Sequence, residues 1–132
     1  MEKTMFAYYN GAYGPTLLID VLCMNWFILF RDTLKNLLDN VISEIDFLQF
    51  ENIEISNVGT FKFVKSAKSS YPSIKIKNGV LNFTWFLNCE NLYHILGLID
   101  GFDEGETGHQ YLMFDEKVLI IELAYNETHR KI

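Results

Sequence analysis

Residues 73–86 read Ser-Ile-Lys-Ile-Lys-Asn-Gly-Val-Leu-Asn-Phe-Thr-Trp-Phe, and this stretch contains the strongest short-range structural signal in the chain. Apolar and polar side chains alternate on both sides of Asn78-Gly79, which is typical of two half-buried strands. A two-residue type I′ turn needs positive φ at both central positions, and Asn-Gly is well suited to it. The sequence therefore predicts a hairpin here, within an antiparallel meander formed by residues 45–86.

Two helices are predicted outside this hairpin, over about residues 25–42 and about residues 88–101. Asn25 and Asn88 each stand where a helix N-cap is expected, and Gly101 is typical of a residue that ends a helix. Apolar residues recur at helical spacing in both segments. They are Phe27, Phe30, Leu34, Leu37, Leu38 and Val41 in the first, and Leu92, Ile95, Leu96 and Ile99 in the second.

The order of predicted elements indicates an α+β fold. We expect a mostly antiparallel β-sheet with both helices packed on one face. A length of 132 residues suits one globular domain that spans residues 1–132. Near the start of the chain we predict a strand within residues 4–16, with a turn at residues 11–15, and then a buried strand at residues 17–24. Two further strands close the chain, at residues 109–114 and 117–124. A turn at Asp115-Glu116 joins them.

The composition suits a packed domain, because 49% of the residues are hydrophobic and 15% are aromatic. Disordered, collagen-like and low-complexity chains are excluded. The longest apolar run, residues 17–30, contains Asp20 and is shorter than the roughly 20 residues that cross a bilayer. Cys23 and Cys89 lack a CxxC spacing and are expected to be buried free thiols in a reducing cytosol. We therefore expect a cytoplasmic protein that does not contact a membrane.

The net charge of −6 is unevenly distributed along the chain. Residues 1–61 carry −5, residues 62–87 carry +5 from five lysines, and residues 88–132 carry −6. An acidic chain argues against general nucleic-acid binding, because phosphate contacts need a positive potential. The lysines fit a solvent face that protects a sheet edge. The acidic C-terminal third fits either a solvated surface or a docking surface for a basic partner.

No catalytic signature is present in the chain. The three histidines stand at no diagnostic spacing from a nucleophile or a carboxylate. Cys89 and His94 are five residues apart on the second predicted helix, so their side chains point about 140° apart. His109 is the one candidate for a general base, and its favoured interpretation is a packed or hydrogen-bonded structural histidine.

The loop from Asp100 to Gly108 is acidic and rich in glycine, which suggests a calcium site. It does not match an EF-hand, because Tyr111 stands at position 12 of the loop, where a bidentate Glu is needed. No phosphate-binding glycine loop is present either. We therefore expect no catalytic residues, no cofactor and no metal site.

Residues 80–127 contain a Trp-bearing strand, a helix ending Leu-Ile-Asp, a short polar loop and the run Gly-His-Gln-Tyr-Leu before a final strand. This stretch resembles the immunity proteins, small bacterial proteins encoded beside the toxins of polymorphic and contact-dependent growth inhibition systems. The resemblance covers about a third of the chain. It implies that the run is a structural signature, in which the histidine and tyrosine hold a loop against the sheet. The signature residues are Gly108, His109, Gln110, Tyr111 and Leu112.

The resemblance implies a non-enzymatic protein that binds and neutralises a cognate toxin domain. Toxic nucleases tend to be basic because their substrate is anionic, and an acidic partner gains rate and specificity from opposite charge. From the residues themselves, we expect Asp103, Glu104 and Glu106 to contact that partner, because the neighbouring glycines let the loop adapt. Two alternatives stay open. One is a small ligand- or nucleic-acid-binding module that uses residues 62–77, and the other is a small hydrolase or transferase that uses His109.

Overall fold

The structure is a computed structural model that describes residues 3–100 and 108–125. Within these residues, nine strands, two α-helices and one 3-10 turn follow one another. In chain order they are β1 (Thr4–Gly11), β2 (Gly14–Val21), α1 (Met24–Leu38), β3 (Glu44–Asp46), the 3-10 turn (Phe47–Gln49), β4 (Ile53–Ser56), β5 (Val58–Lys65), β6 (Tyr71–Lys77), β7 (Val80–Leu87), α2 (Cys89–Ile99), β8 (Gly108–Asp115) and β9 (Leu119–Tyr125).

The predicted hairpin is present at β6 and β7. These strands pair antiparallel with Lys77 opposite Val80. Asn78 and Gly79 have φ values of 54° and 76°, as a type I′ turn requires. Local sequence chemistry therefore determines this part of the fold.

The α+β class is confirmed, but the strands form two mixed sheets and no simple meander. The first sheet has the order β4-β1-β2-β9-β8 and the second has the order β3-β5-β7-β6. Four of the described strand pairs are antiparallel, and three are parallel: β1 with β4, β2 with β9, and β5 with β7. After β5 the chain passes to the far edge of the sheet, and the hairpin then returns β7 beside β5. The expected antiparallel meander is therefore wrong.

The first helix is shorter than predicted and has a different N-cap. It begins after Cys23, whose side chain makes no capping hydrogen bond, so Asn25 lies inside the helix. It ends because Asn40 adopts a left-handed φ of 61°, and the Val41 N–H donates to the carbonyl oxygen of Asn36 at 2.9 Å. Val41, predicted to belong to the apolar stripe, is exposed beyond this end.

The second helix agrees closely with its prediction. The Asn88 side chain caps it by accepting a hydrogen bond from the Asn91 N–H at 3.0 Å. Its four predicted apolar residues are buried. Cys89, expected to be buried, is exposed because it is the first residue of the helix, while Cys23 is partly buried.

One aromatic core is shared by both helices and by one face of each sheet. Phe47 lies near its centre, fully buried on the 3-10 turn. Its ring lies 4.8 Å from that of Phe63 and 5.4 Å from that of Phe30, in contact with one sheet and one helix. Alternate residues of β9 (Leu119, Ile121 and Leu123) point into this core, as their period-2 pattern predicts. The intervening residues of β9 therefore face the other side of the first sheet.

Candidate functional site

The outer face of the first sheet carries a group of aromatic side chains, here called the aromatic patch (Tyr9, Tyr13, Tyr111 and Phe114). Tyr13 is 65% exposed, Phe114 is 49% exposed and Tyr9 is 41% exposed. The ring of Phe114 lies 6.4 Å from the ring of Tyr13 and 5.1 Å from that of Tyr111, the latter edge to face. These contacts join Tyr13, Phe114 and Tyr111, and exposed aromatic side chains in mutual contact are typical of protein interaction sites.

A β-bulge in β8 brings Tyr111 and Phe114 to the same face. Residues three apart on a regular strand point to opposite sides of the sheet. Here Tyr111 pairs with Glu122, and Met113 pairs with Ile121, so Leu112 is the extra residue of the strand. Leu112 is buried in the core with Met113 packed beside it, so two consecutive side chains of β8 face the core. The alternation of side chains between the two faces therefore shifts by one residue, and Phe114 lies on the same face as Tyr111. The period-2 pattern alone does not reveal this arrangement.

Tyr9 lies on β1, two strand positions away from β9, on the same face of the sheet as Tyr111. The pKa of the Tyr9 phenol is raised above its usual value of 10.0, chiefly by burial and then by the carboxylate of Glu122 and the neighbouring Tyr111. Its hydroxyl therefore lies in an environment that disfavours additional negative charge. Glu122 lies on the same face of the sheet, because it pairs with Tyr111 across the β8–β9 ladder.

Acidic residues border the aromatic patch at the turn between β8 and β9. Asp115 and Glu116 are exposed there. One carboxylate oxygen of Asp115 accepts a hydrogen bond from the Lys117 N–H at 3.1 Å, which fixes the start of the turn. With Asp115, Glu116 and the exposed Lys117, this turn carries a net charge of −1, and Glu122 adds a further carboxylate on the face that carries Tyr111.

The predicted signature lies on β8 and divides between the two faces of the sheet. Leu112 is buried, whereas His109 is exposed with its ring 5.5 Å from that of Tyr111. Gly108 begins the strand with a φ of 154°, and Gln110 is half-buried. The predicted partner contacts Asp103, Glu104 and Glu106 lie outside the described residues.

The lysines of residues 62–77 do not form one uninterrupted cationic surface. Lys62 lies 4.0 Å from the Glu44 carboxylate. The amine of Lys65 donates a hydrogen bond to the carbonyl oxygen of Leu38 at the end of α1, where a cation interacts favourably with the helix dipole. Lys75 and Lys77 lie on β6, which is an edge strand of the second sheet. Lysines at such a position discourage edge-to-edge pairing with another chain.

A groove of about 850 Å³ lies at the opposite end of α1 from Cys23, beside the start of α2. Much of its polar lining is committed to internal hydrogen bonds. The Asn88 amide donates to the carbonyl oxygen of Lys68 at 3.1 Å, and the Lys65 N–H donates to the carbonyl oxygen of Ser43 at 3.0 Å. These two bonds connect the segments around residues 43, 65–68 and 88 at this end of the molecule.

Residues 3–100 and 108–125 contain no group of three or more potential metal ligands. Neither described helix is long and apolar enough to cross a bilayer. Comparison with known proteins adds no family, because no protein-family model, curated protein or solved structure matches the chain.

Proposed function

We propose that this chain is a cytoplasmic, non-enzymatic immunity protein that binds a basic toxin domain and neutralises it. The observation that supports this function is the aromatic patch, with two tyrosine rings and one phenylalanine ring substantially exposed in one group. Large, rigid aromatic side chains supply much of the binding energy of protein interfaces at little entropic cost. The resemblance of residues 80–127 to immunity proteins points to the same class of partner.

The charge around the aromatic patch favours a basic partner. Asp115, Glu116 and Glu122 border it, and the whole chain carries −6. Opposite charge accelerates association and discriminates against acidic or neutral competitors. A nuclease domain presents the required positive potential, because it must bind phosphate groups. The proposed inhibitor would then cover or distort the surface with which such a domain binds its substrate.

The alternative of a nucleic-acid-binding module has less support. Two of the five lysines in residues 62–77 contact other groups of the same chain, Lys62 the Glu44 carboxylate at the surface and Lys65 the end of α1. Nucleic-acid affinity depends on the number of phosphates that cationic side chains neutralise. The remaining lysines would have to act against the net negative charge of the chain.

Co-expression tests the proposed function directly. The C-terminal domain of the protein encoded immediately upstream is produced in a bacterial host, with and without this chain. We expect growth arrest by the domain alone and growth in the presence of this chain. An upstream domain that is harmless, or one whose toxicity this chain does not relieve, contradicts the proposal.

A pair of matched variants tests the contact surface. Tyr13→Ala combined with Phe114→Ala should weaken binding of the toxin domain at least tenfold, as expected for aromatic anchors. Tyr93→Ala combined with Leu29→Ala is the control, because these side chains are 66% and 48% exposed and lie on the two helices. Calorimetric titration measures both affinities. Equal losses in the two variants would show that the toxin does not use the aromatic patch.

A further inference from the structure

Strand β6 is an edge of the second sheet and pairs with β7 on one side. The hairpin turn at Asn78-Gly79 determines which backbone groups of β6 bond to β7. Lys77 pairs with Val80 across this two-residue turn, and the residues that flank such a turn exchange both of their hydrogen bonds. Because this pattern alternates along an antiparallel pair, the N–H and C=O groups of Ile74 and Ile76 point away from β7.

The position of Pro72 agrees with this assignment. Pro72 lies two residues before Ile74, so its backbone also points away from β7. Proline lacks an N–H group and is tolerated in a sheet where the missing N–H would face a free edge. Within residues 3–100 and 108–125, the hydrogen bonds outside the strand ladders do not involve Ile74 or Ile76. Their backbone groups are therefore open to a further strand.

The side chains of β6 differ between its two faces. Ile76 shares the core side with Ile74, yet it is 47% exposed at the edge of the sheet. Lys75 and Lys77 point to the outer side and oppose uncharged residues of β7. Both lysines are exposed, and neither forms an ion pair within the described part of the chain. The edge of β6 therefore combines an uncovered apolar side chain with two uncompensated positive charges.

A recess of about 300 Å³ opens beside Ile76, between the hairpin and β1. Gly79 lines it from the hairpin, and Tyr9 and Asn57 line it from the first sheet and from the turn before β5. A strand that pairs with β6 directs every second side chain to this side of the sheet. Such a side chain would lie next to Ile76 and remove more of its apolar surface from water.

We propose that the edge of β6 is a docking site for an extended acidic segment of a partner protein, which adds to the second sheet as an antiparallel fifth strand. Apolar side chains of this segment cover Ile76, and carboxylates at alternate positions lie opposite Lys75 and Lys77. Opposite charges that face each other across two strands stabilise the pairing, whereas like charges weaken it. The two lysines therefore discourage pairing with β6 of a second copy and select an acidic strand.

This inference goes beyond the proposed function. Strand β6 belongs to the second sheet, whereas the aromatic patch belongs to the first. The edge of β6 carries positive charge, so the acidic segment belongs to a partner other than the basic toxin domain.

Three acetylated and amidated peptides test the docking site on the ¹⁵N-labelled full chain. The first is Thr-Glu-Val-Glu-Val-Glu-Thr, the second carries lysine in place of glutamate, and the third is the first with N-methyl groups on both valines. In the antiparallel pairing the valine N–H groups donate to β6, so N-methylation removes these bonds and preserves the charges. Titration followed by ¹H–¹⁵N NMR should show that the first peptide binds at least fivefold more tightly than either of the others.

Hydrogen exchange identifies the strand edge itself. Saturation with the acidic peptide should slow the exchange of the Ile74 and Ile76 N–H groups at least tenfold, because these groups acquire hydrogen bonds. The Ser73 and Lys75 N–H groups are already bonded to β7 and should change less than twofold. Binding of the peptide without protection of Ile74 and Ile76 would overturn the proposal, because it would reflect only attraction to the lysines.

Substitutions separate the edge of β6 from the charge of the whole protein. Lys75→Gln combined with Lys77→Gln should weaken binding of the acidic peptide at least fivefold. Lys35→Gln combined with Lys117→Gln removes the same charge from exposed positions on α1 and in the turn between β8 and β9, and should change the affinity less than twofold. Equal effects of the two double variants contradict the proposal. A single-stranded oligothymidylate that displaces the acidic peptide and binds as tightly would instead assign the two lysines to nucleic acid.

Discussion

Gly14 lies directly against the backbone of Glu116. A side-chain Cβ at position 14 would overlap the carbonyl oxygen of Glu116 and lie 3.3 Å from its carbonyl carbon. Gly14 also has a φ of 134°, a conformation that residues with side chains rarely adopt. The turn between β1 and β2 therefore meets the turn between β8 and β9 closely. This approach brings Tyr13 of the first turn against Phe114 at the end of β8 and so builds one end of the aromatic patch.

Gly14→Ala should destabilise the protein for both of these reasons. We expect the backbone conformation alone to cost about 1–3 kcal/mol in the free energy of unfolding, with a further loss from the overlap. Urea unfolding followed by tryptophan fluorescence measures the change, because Trp26 and Trp85 are both buried. Gly79→Ala is the control, because Gly79 has positive φ but open space around its Cβ position. Equal losses of stability in the two variants would show that the close contact of Gly14 with Glu116 contributes nothing to the destabilisation.

Gly97→Ala should have the opposite effect. Gly97 lies inside α2, is exposed, and has no atom within 4 Å of its Cβ position. Alanine is favoured over glycine within a helix by about 0.8–1 kcal/mol, because glycine loses more backbone entropy on folding. The free energy of unfolding should rise by that amount in the same urea experiment. A decrease in the free energy of unfolding of the Gly97→Ala variant would indicate that another group covers the exposed side of α2.

The phenol of Tyr9 should titrate at a higher pH than a free tyrosine. Because its pKa is raised in the folded state, the folded chain keeps this proton after the unfolded chain loses it. Tyr9 therefore contributes stability below pH 10 that is lost as the pH rises above the usual pKa of 10.0.

NMR of the tyrosine ring carbons measures this titration. Glu122→Gln should lower the Tyr9 pKa while leaving it above 10.0, because burial is the larger cause. Glu51→Gln is the matched control and should leave the titration unchanged. If Glu122→Gln also leaves it unchanged, Glu122 and Tyr9 are not electrostatically coupled.

Duplex DNA should not bind measurably near physiological salt. Lys62 is paired with Glu44, Lys65 contacts the end of α1, and the net charge of −6 repels phosphate at a distance. Fluorescence anisotropy with a labelled duplex provides the measurement. Micromolar binding that weakens steeply with salt would contradict the expectation. Loss of this DNA binding in a triple variant, Lys62→Ala with Lys65→Ala and Lys68→Ala, would then favour the alternative nucleic-acid function.

The elements with strong local chemistry could be predicted from the sequence. Asn78-Gly79 determines the β6–β7 hairpin because positive φ is needed at both residues. Asn88 determines the start of α2 because its side chain satisfies an otherwise unpaired N–H of the first turn. The spacing of apolar residues predicts a first helix that is too long, because Val41 continues the helical spacing beyond the left-handed turn at Asn40.

The tertiary structure alone decided how the strands pair and which surface residues meet. Parallel pairing of β5 with β7 and of β2 with β9 joins segments far apart in the chain, and no local propensity specifies such partners. The aromatic patch likewise needs the bulge at Leu112 and the contact between Gly14 and Glu116. Composition and spacing therefore determined the α+β class and the acidic character of this protein. The arrangement of Tyr9, Tyr13, Tyr111, Phe114 and Glu122 arises only from long-range packing, because these residues come from four strands or turns that the folded core brings together.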